Sequence, residues 1–149
     1  MKPYEKKILL KKLERLASEM AKIAQSERKG GSRARAVEIF LLRDAEMKRL
    51  KKKFLPGKKG PANVLSFAEP ADWPNPEGGQ EVLGEVYLNA DLTELKMDKL
   101  IPLLSHGVLH LLGYDHKRKS DRIRMEKMER EIIKVFLINF GARIANKIY

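Results

Sequence analysis

The chain has 149 residues, enough for a sizeable core, because a protein of that length buries roughly 68–70% of the surface its unfolded form exposes; one domain over residues 1–149 is expected. It contains no cysteine, which excludes a disulfide framework and a thiolate zinc finger and leaves nitrogen and oxygen as the available metal ligands. Lysine and arginine number 31 against 20 aspartates and glutamates, and the resulting formal charge of +11 gathers polyanions and bears on partners rather than on fold.

Taken in chain order, Met1 to Lys7 is too lysine-rich to read as a secretory signal. Residues Tyr4 to Gln25 carry Leu9, Leu13, Leu16, Met20 and Ile23 at the alternating four-three step of an amphipathic helix, which Gly30-Gly31-Ser32 is expected to end. Ala36 to Leu42, short and rich in branched and aromatic side chains, predicts a largely buried strand. Asp44 offers an N-cap to a helix through Met47, Leu50 and Phe54, broken by Pro56-Gly57.

Asn63 to Phe67 and Val82 to Leu88 predict two further strands, separated by a polar, proline-containing interval between Ala68 and Gln80. Loops of that length inside compact domains are usually functional or disordered, and this one holds Trp73, the only tryptophan, which either stacks on a base or pins the loop to the body. From Asp98 to Leu112 helical spacing returns, with Pro102 near enough the start to be tolerated. A last helix is expected from Ser120-Asp121 through Met125, Met128, Ile132, Val135 and Phe136 to a stop at Gly141. The most apolar stretch, Ile132 to Phe140, is too short to span a bilayer, so no membrane partner and a cytoplasmic location are expected. The order of elements predicts an α+β fold.

All three histidines fall within His106-Gly-Val-Leu-His110-Leu-Leu-Gly-Tyr-Asp-His116. Residues four apart on a helix lie on one face, roughly 5–6 Å apart at Cβ, a span over which two imidazoles can share a metal. Gly113 supplies the left-handed stop that turns the chain back, so that His116 can converge on the same point. Three neutral imidazoles with one position left open are what a catalytic zinc ion needs, and one Zn²⁺ held by His106, His110 and His116 is the expectation. Such an ion would generate hydroxide from water near neutral pH or polarise a phosphoryl oxygen. Asp115 either orients a ligand histidine or caps the turn, and Tyr114 is expected to pack.

The positive charge is clustered at Lys48-Arg49, Lys51 to Lys53, Lys58-Lys59 and Lys117 to Lys119, the last directly after His116, with Arg122, Arg124 and Lys127 following. Any one such run reads as a solvated face; beside a metal they make phosphate the leading substrate.

The histidine stretch resembles the H-G-x-L-H-L-x-G-Y-D-H signature of the YbeY family of bacterial endoribonucleases. Gly57-Lys-Lys-Gly-Pro-Ala-Asn-Val-Leu-Ser-Phe67 is similar to the family's G-K-x-x-P-T-N-V-L-S-F-P segment, and Leu83-Gly84-Glu85 resembles its L-G-D strand, so the likeness covers nearly the whole chain. The resemblance implies a small mixed sheet of about four strands packed by helices, with a metzincin-like zinc helix. It also implies that the three histidines hold zinc and that the substrate is single-stranded RNA. The corresponding role is rRNA maturation and ribosome quality control, with the ribosomal small subunit or assembly factors as partners and no DNA. This chain departs from the family pattern at Pro56, where a functional arginine is expected, and at Ala62, Ala68 and Glu85. Lys53, Lys58 or Lys59 would have to supply the missing cation, and Lys58 and Lys59 are the candidate supporting residues.

Two other readings compete. Metzincin peptidases share the H-x-x-x-H-x-x-G-x-x-H spacing but place a glutamate, their general base, directly after the first histidine, where this chain has Gly107. A non-catalytic, zinc-stabilised module that binds rRNA or the ribosome and aids assembly is the other, and Pro56 favours it.

Overall fold

The computed structural model describes residues 1–25, 35–70 and 81–148, with side chains as far as residue 136. The elements are α1 (Pro3–Gln25), β1 (Ala36–Leu42), α2 (Asp44–Phe54), β2 (Val64–Ala68), β3 (Val82–Asn89), α3 (Ala90–Thr93), α4 (Met97–Leu111) and α5 (Lys119–Ile148), an α+β architecture. The sheet is mixed but has three strands among the described residues rather than about four. Its order is β1-β3-β2, with β3 parallel to β1 and antiparallel to β2. A parallel pair cannot be closed by a tight turn, so α2 and β2 together form the crossover between β1 and β3.

Strand β1 alternates rather than being largely buried. Val37, Ile39 and Leu41 point into the core, while Glu38 and Phe40 are exposed on the other face. The inner face of the sheet meets α1 and α4, where Leu13, Met20, Leu100, Leu104 and Val108 are fully buried, and Met125, Ile132 and Phe136 attach α5 to the same core. Helix α2 covers part of the outer face through Met47, which packs with Ala62 and Leu65 in a second, smaller cluster.

Three boundaries differ from expectation. Asp44 is the first residue of α2 and not its cap: Arg43 holds the cap position, and its N–H donates to Glu46 Oε1 at 3.4 Å. Asp44 instead accepts from Asn89 Nδ2 at 2.9 Å. Helix α4 begins at Met97, which puts Pro102 in its second turn, where it forfeits the bond an N–H would give to the Asp98 carbonyl. Helix α5 runs past Gly141 to Ile148; a single helical glycine costs only about 1 kcal/mol and does not by itself stop a helix. The expected stop at Gly30-Gly31-Ser32 and the loop holding Trp73 lie outside the described residues.

Candidate metal centre

The end of α4 builds the site. Tyr114 N–H donates to the Leu109 carbonyl and Gly113 N–H to the His110 carbonyl, each at 3.0 Å, which is the Schellman pair that closes a helix. Gly113 adopts φ +93, a left-handed conformation that a side chain would strain. Tyr114 packs its ring against the main core, as expected, and the reversed chain carries His116 back beside the helix. Asp115 settles as a turn cap: its Oδ1 accepts the N–H of His116 at 2.6 Å and of Lys117 at 3.2 Å. Desolvation opposes ionisation there but is outweighed by those backbone donors and Lys117, so its carboxyl lies below the usual range.

The three histidines converge. Ring centroids of His106 and His110 are 4.6 Å apart, those of His110 and His116 5.1 Å and those of His106 and His116 5.8 Å. One nitrogen from each lies within 4.8 Å of the others, and His116 is the exposed member.

The second nitrogens of His106 and His110 are already engaged. His106 Nδ1 lies 2.8 Å from Glu129 Oε1, and His110 Nδ1 lies 3.0 Å from the Tyr114 carbonyl oxygen. A carbonyl and a carboxylate only accept, so each Nδ1 carries a proton, and in the neutral ring that leaves Nε2 with its lone pair. Those two Nε2 atoms are 3.1 Å apart, close to the roughly 3.3 Å separation of two nitrogens each about 2.0 Å from a tetrahedral zinc ion. A proton shared between them would relieve that pair but would leave the third imidazole without a role; a dication satisfies all three. Burial, reinforced by the neighbouring His106 and His116, pushes the His110 pKa down and keeps that ring in the neutral form a metal requires.

Glu129 is the site residue that sequence spacing did not reveal. It sits on α5 beside Met125, Met128, Ile132 and Ile133, which pack into or against the core, and a carboxylate on such a stripe is the signal that could have exposed it. Gly107, by contrast, has a packing reason. A Cβ at that position would lie 2.9 Å from Val86 Cγ1, 3.0 Å from Ser66 Oγ and 3.2 Å from Val64 Cγ2. The position that a peptidase of this spacing gives to its glutamate therefore faces the sheet.

Lys58 and Lys59, both exposed, lie in the turn between α2 and β2, on the side of β2 that leads to Asn63, whose carbonyl bonds Asn89 N–H. Helix α4 crosses β2 with Gly107 over Val64 and Ser66, and its Leu111 reaches Gly84, which pairs with Ala68. The two lysines thus precede the strand on which the histidine helix rests. Pro56 is exposed in the same turn, and Lys51 Nζ ties the turn down by donating to the carbonyl of Gly60 at 2.7 Å. Exposed Lys117, Arg118 and Lys119 follow His116 directly.

Comparison with known proteins matches residues 2–137 to the family described as Endoribonuclease YbeY. A protein of that name from Neorickettsia sennetsu is 39% identical over 102 residues, covering 63% of this chain and 68% of that protein. Its counterpart in Rhodospirillum rubrum is 39% identical over 65% of this chain and 53% of its own length, and that in Chelativorans is 33% identical over 80% and 77%. The matched stretch therefore spans between about half and about three quarters of these relatives.

Proposed function

The chain belongs to the endoribonuclease YbeY family, and from that premise we propose that it is a zinc-dependent endoribonuclease that cuts single-stranded RNA in rRNA processing and ribosome quality control. One observation carries the zinc dependence: two Nε2 atoms 3.1 Å apart, on rings whose Nδ1 protons are both committed elsewhere. When bound, the ion supplies a Lewis acid for a phosphoryl oxygen or a source of hydroxide near neutral pH. Glu129 and the Tyr114 carbonyl hold the proton on Nδ1 of His106 and His110 and fix the ring planes. The exposed His116 completes the set from the loop, so the open side of the site faces solvent where a long polymer can enter.

Lys117, Arg118 and Lys119 stand next to that opening and neutralise flanking phosphates, with Lys58 and Lys59 as supporting cations from the turn before β2. The partners of this reading are rRNA and the ribosomal small subunit or its assembly factors, and its setting is the cytoplasm. No helix among the described residues is long and apolar enough to cross a membrane.

Pro56, where the family pattern expects arginine, favours a second reading: a zinc-stabilised module that binds rRNA without cutting it. The deciding experiment follows a labelled single-stranded RNA with metal-loaded protein, a chelator-treated sample and His110→Ala. The nuclease reading expects one zinc per chain and cutting that disappears in both controls. Undiminished cutting by His110→Ala would overturn it, and tight RNA binding without zinc-dependent cutting would select the assembly module.

A further inference from the structure

The outer face of the sheet carries a row of aromatic rings for which the metal centre has no use. Phe54 meets Phe67 edge-on at 5.3 Å between centroids, and Phe67 meets Tyr87 edge-on at 5.6 Å. Tyr87 in turn stacks on Phe40 at 4.7 Å with 14° between the planes. Phe40 and Tyr87 are directly paired in the β1–β3 register and Phe67 lies diagonally across β2, so the row crosses the whole sheet. Tyr87 is further held by its hydroxyl, which donates to Glu85 Oε2 at 2.6 Å. Rings in a core are covered; here Phe40 is 37% and Phe54 52% exposed.

Exposed rings alone would suit any apolar partner, and the surrounding charge decides which. Helix α2 ends beside the row with Lys48, Arg49, Lys51, Lys52 and Lys53 against Asp44 and Glu46 at its start, and Lys53 Nζ stands 5.3 Å from the Phe54 centroid. A ladder of π-faces bordered by ammonium groups matches a chain of flat bases on a phosphate backbone. Glu38 and Glu85 flank the rings on β1 and β3 and set the orientation. They repel phosphates toward α2 and can accept the exocyclic amino hydrogens of bases lying over the strands.

We propose that Phe54, Phe67, Tyr87 and Phe40 form a stacking platform for single-stranded RNA, with the phosphate backbone led along the lysine-rich end of α2. The platform and helix α4 lie on opposite faces of the sheet. Strand β2 is an edge, with Phe67 on its outer side and, on its inner side, Ser66, whose hydroxyl donates to the Gly107 carbonyl at 2.9 Å. The β2 edge thus separates the platform from the turn of α4 that holds Gly107, the residue after His106. The choice of RNA as ligand rests on the nuclease reading above, but base stacking does not require cutting.

The test measures binding of a labelled 12-nucleotide single-stranded RNA to the metal-loaded full chain by fluorescence anisotropy, with an abasic strand of equal charge in parallel. Stacking is worth roughly 1–3 kcal/mol per base, so removing two rings in Phe40→Ala/Phe54→Ala should weaken the RNA by about 30-fold or more and leave the abasic strand unchanged. Phe54→Leu, which keeps the packing on Phe67 and removes the π-face, should weaken the RNA in the same direction. Equal affinity of wild type and the double variant for the RNA overturns the proposal. So does a parallel loss for the abasic strand, which would mean that charge or fold was disturbed, and so does a lysine-rich peptide that binds the rings while RNA does not. Cutting is scored separately: a platform that binds with no zinc-dependent cutting sinks the nuclease reading and leaves this one standing.

Discussion

The Glu129 carboxylate bears on the candidate metal centre through one contact, that with His106. At 2.8 Å from His106 Nδ1 it holds a proton there, and without it that ring is free to turn or to move its proton to Nε2, the nitrogen it offers to a metal. Glu129→Ala should therefore lower zinc affinity by about 10- to 100-fold, with the fold intact because the side chain is partly exposed. Competition against a chromophoric chelator measures the affinity, and circular dichroism checks the fold; unchanged affinity would mean that the contact is incidental. Glu129→Gln is the sharper comparison. Its amide can accept from Nδ1 through oxygen but lacks the carboxylate's charge, so it should fall between wild type and alanine.

At the scale of elements, one node joins the strand ends to the helices. Asn89 is fully buried and its side chain makes four bonds: Nδ2 donates to Asp44 Oδ1 at 2.9 Å and to the Ala62 carbonyl at 3.0 Å, while Oδ1 accepts from Asp91 N–H at 3.0 Å and Leu92 N–H at 2.9 Å. It caps α3 and pins α2 and the β2 entry at once. Asn89→Ala should cost about 2–3 kcal/mol, the sum expected from a lost cap and stranded partners, read as a lower urea midpoint. The cost should shrink in acid. A hydrogen bond from Lys48, followed by that from Asn89, holds the Asp44 carboxyl below its ordinary value of 3.8, and the Asp44 backbone N–H does the same for Asp91. A lowered folded-state pKa gives stability that is present above the unfolded value and lost as pH falls through the folded one, so the gap between wild type and variant should narrow below pH 3.8, while the Asn89 bonds to backbone groups keep it open. An equal gap at neutral pH and below pH 3.8 would detach the Asp44 carboxylate from the node.

Much of this was readable from the chain. The four-three spacing of α1, the histidine register and Gly113 each express one local rule, and local rules survive folding. Helix α3 was not readable, because four residues show no period and the reversal after it uses Glu94 and Leu95 at φ 52 and 57, where no glycine marks a left-handed turn. The half-exposure of β1 was hidden because Phe40 looks apolar to a periodicity argument whichever face it occupies. Glu129 was missed because its contact with His106 spans 23 residues and depends on how α5 packs on α4, which no window along the sequence contains.

For the whole molecule, the charge excess of +11 acts through distribution as well as amount. The runs Lys51 to Lys53, Lys58-Lys59 and Lys117 to Lys119 lie on α2, in the turn before β2 and after the metal loop, so no single helix accounts for them. A polyanion touching several runs at once releases the counterions condensed on each phosphate it gives up, and log affinity then falls linearly with log salt, by about 0.7 per neutralised phosphate for single strands. Contact with about five phosphates predicts roughly a 100-fold loss of affinity for single-stranded RNA between about 50 and 200 mM salt. Replacing Lys52 and Lys53 by alanine should lower the slope by one to two phosphates' worth, and replacing Lys117 and Lys119 should lower it by a similar amount if both runs contact the same strand. A flat salt dependence would mean that the basic runs are merely solvated. A slope that responds to one pair of substitutions and ignores the other would show which face of the protein the RNA follows.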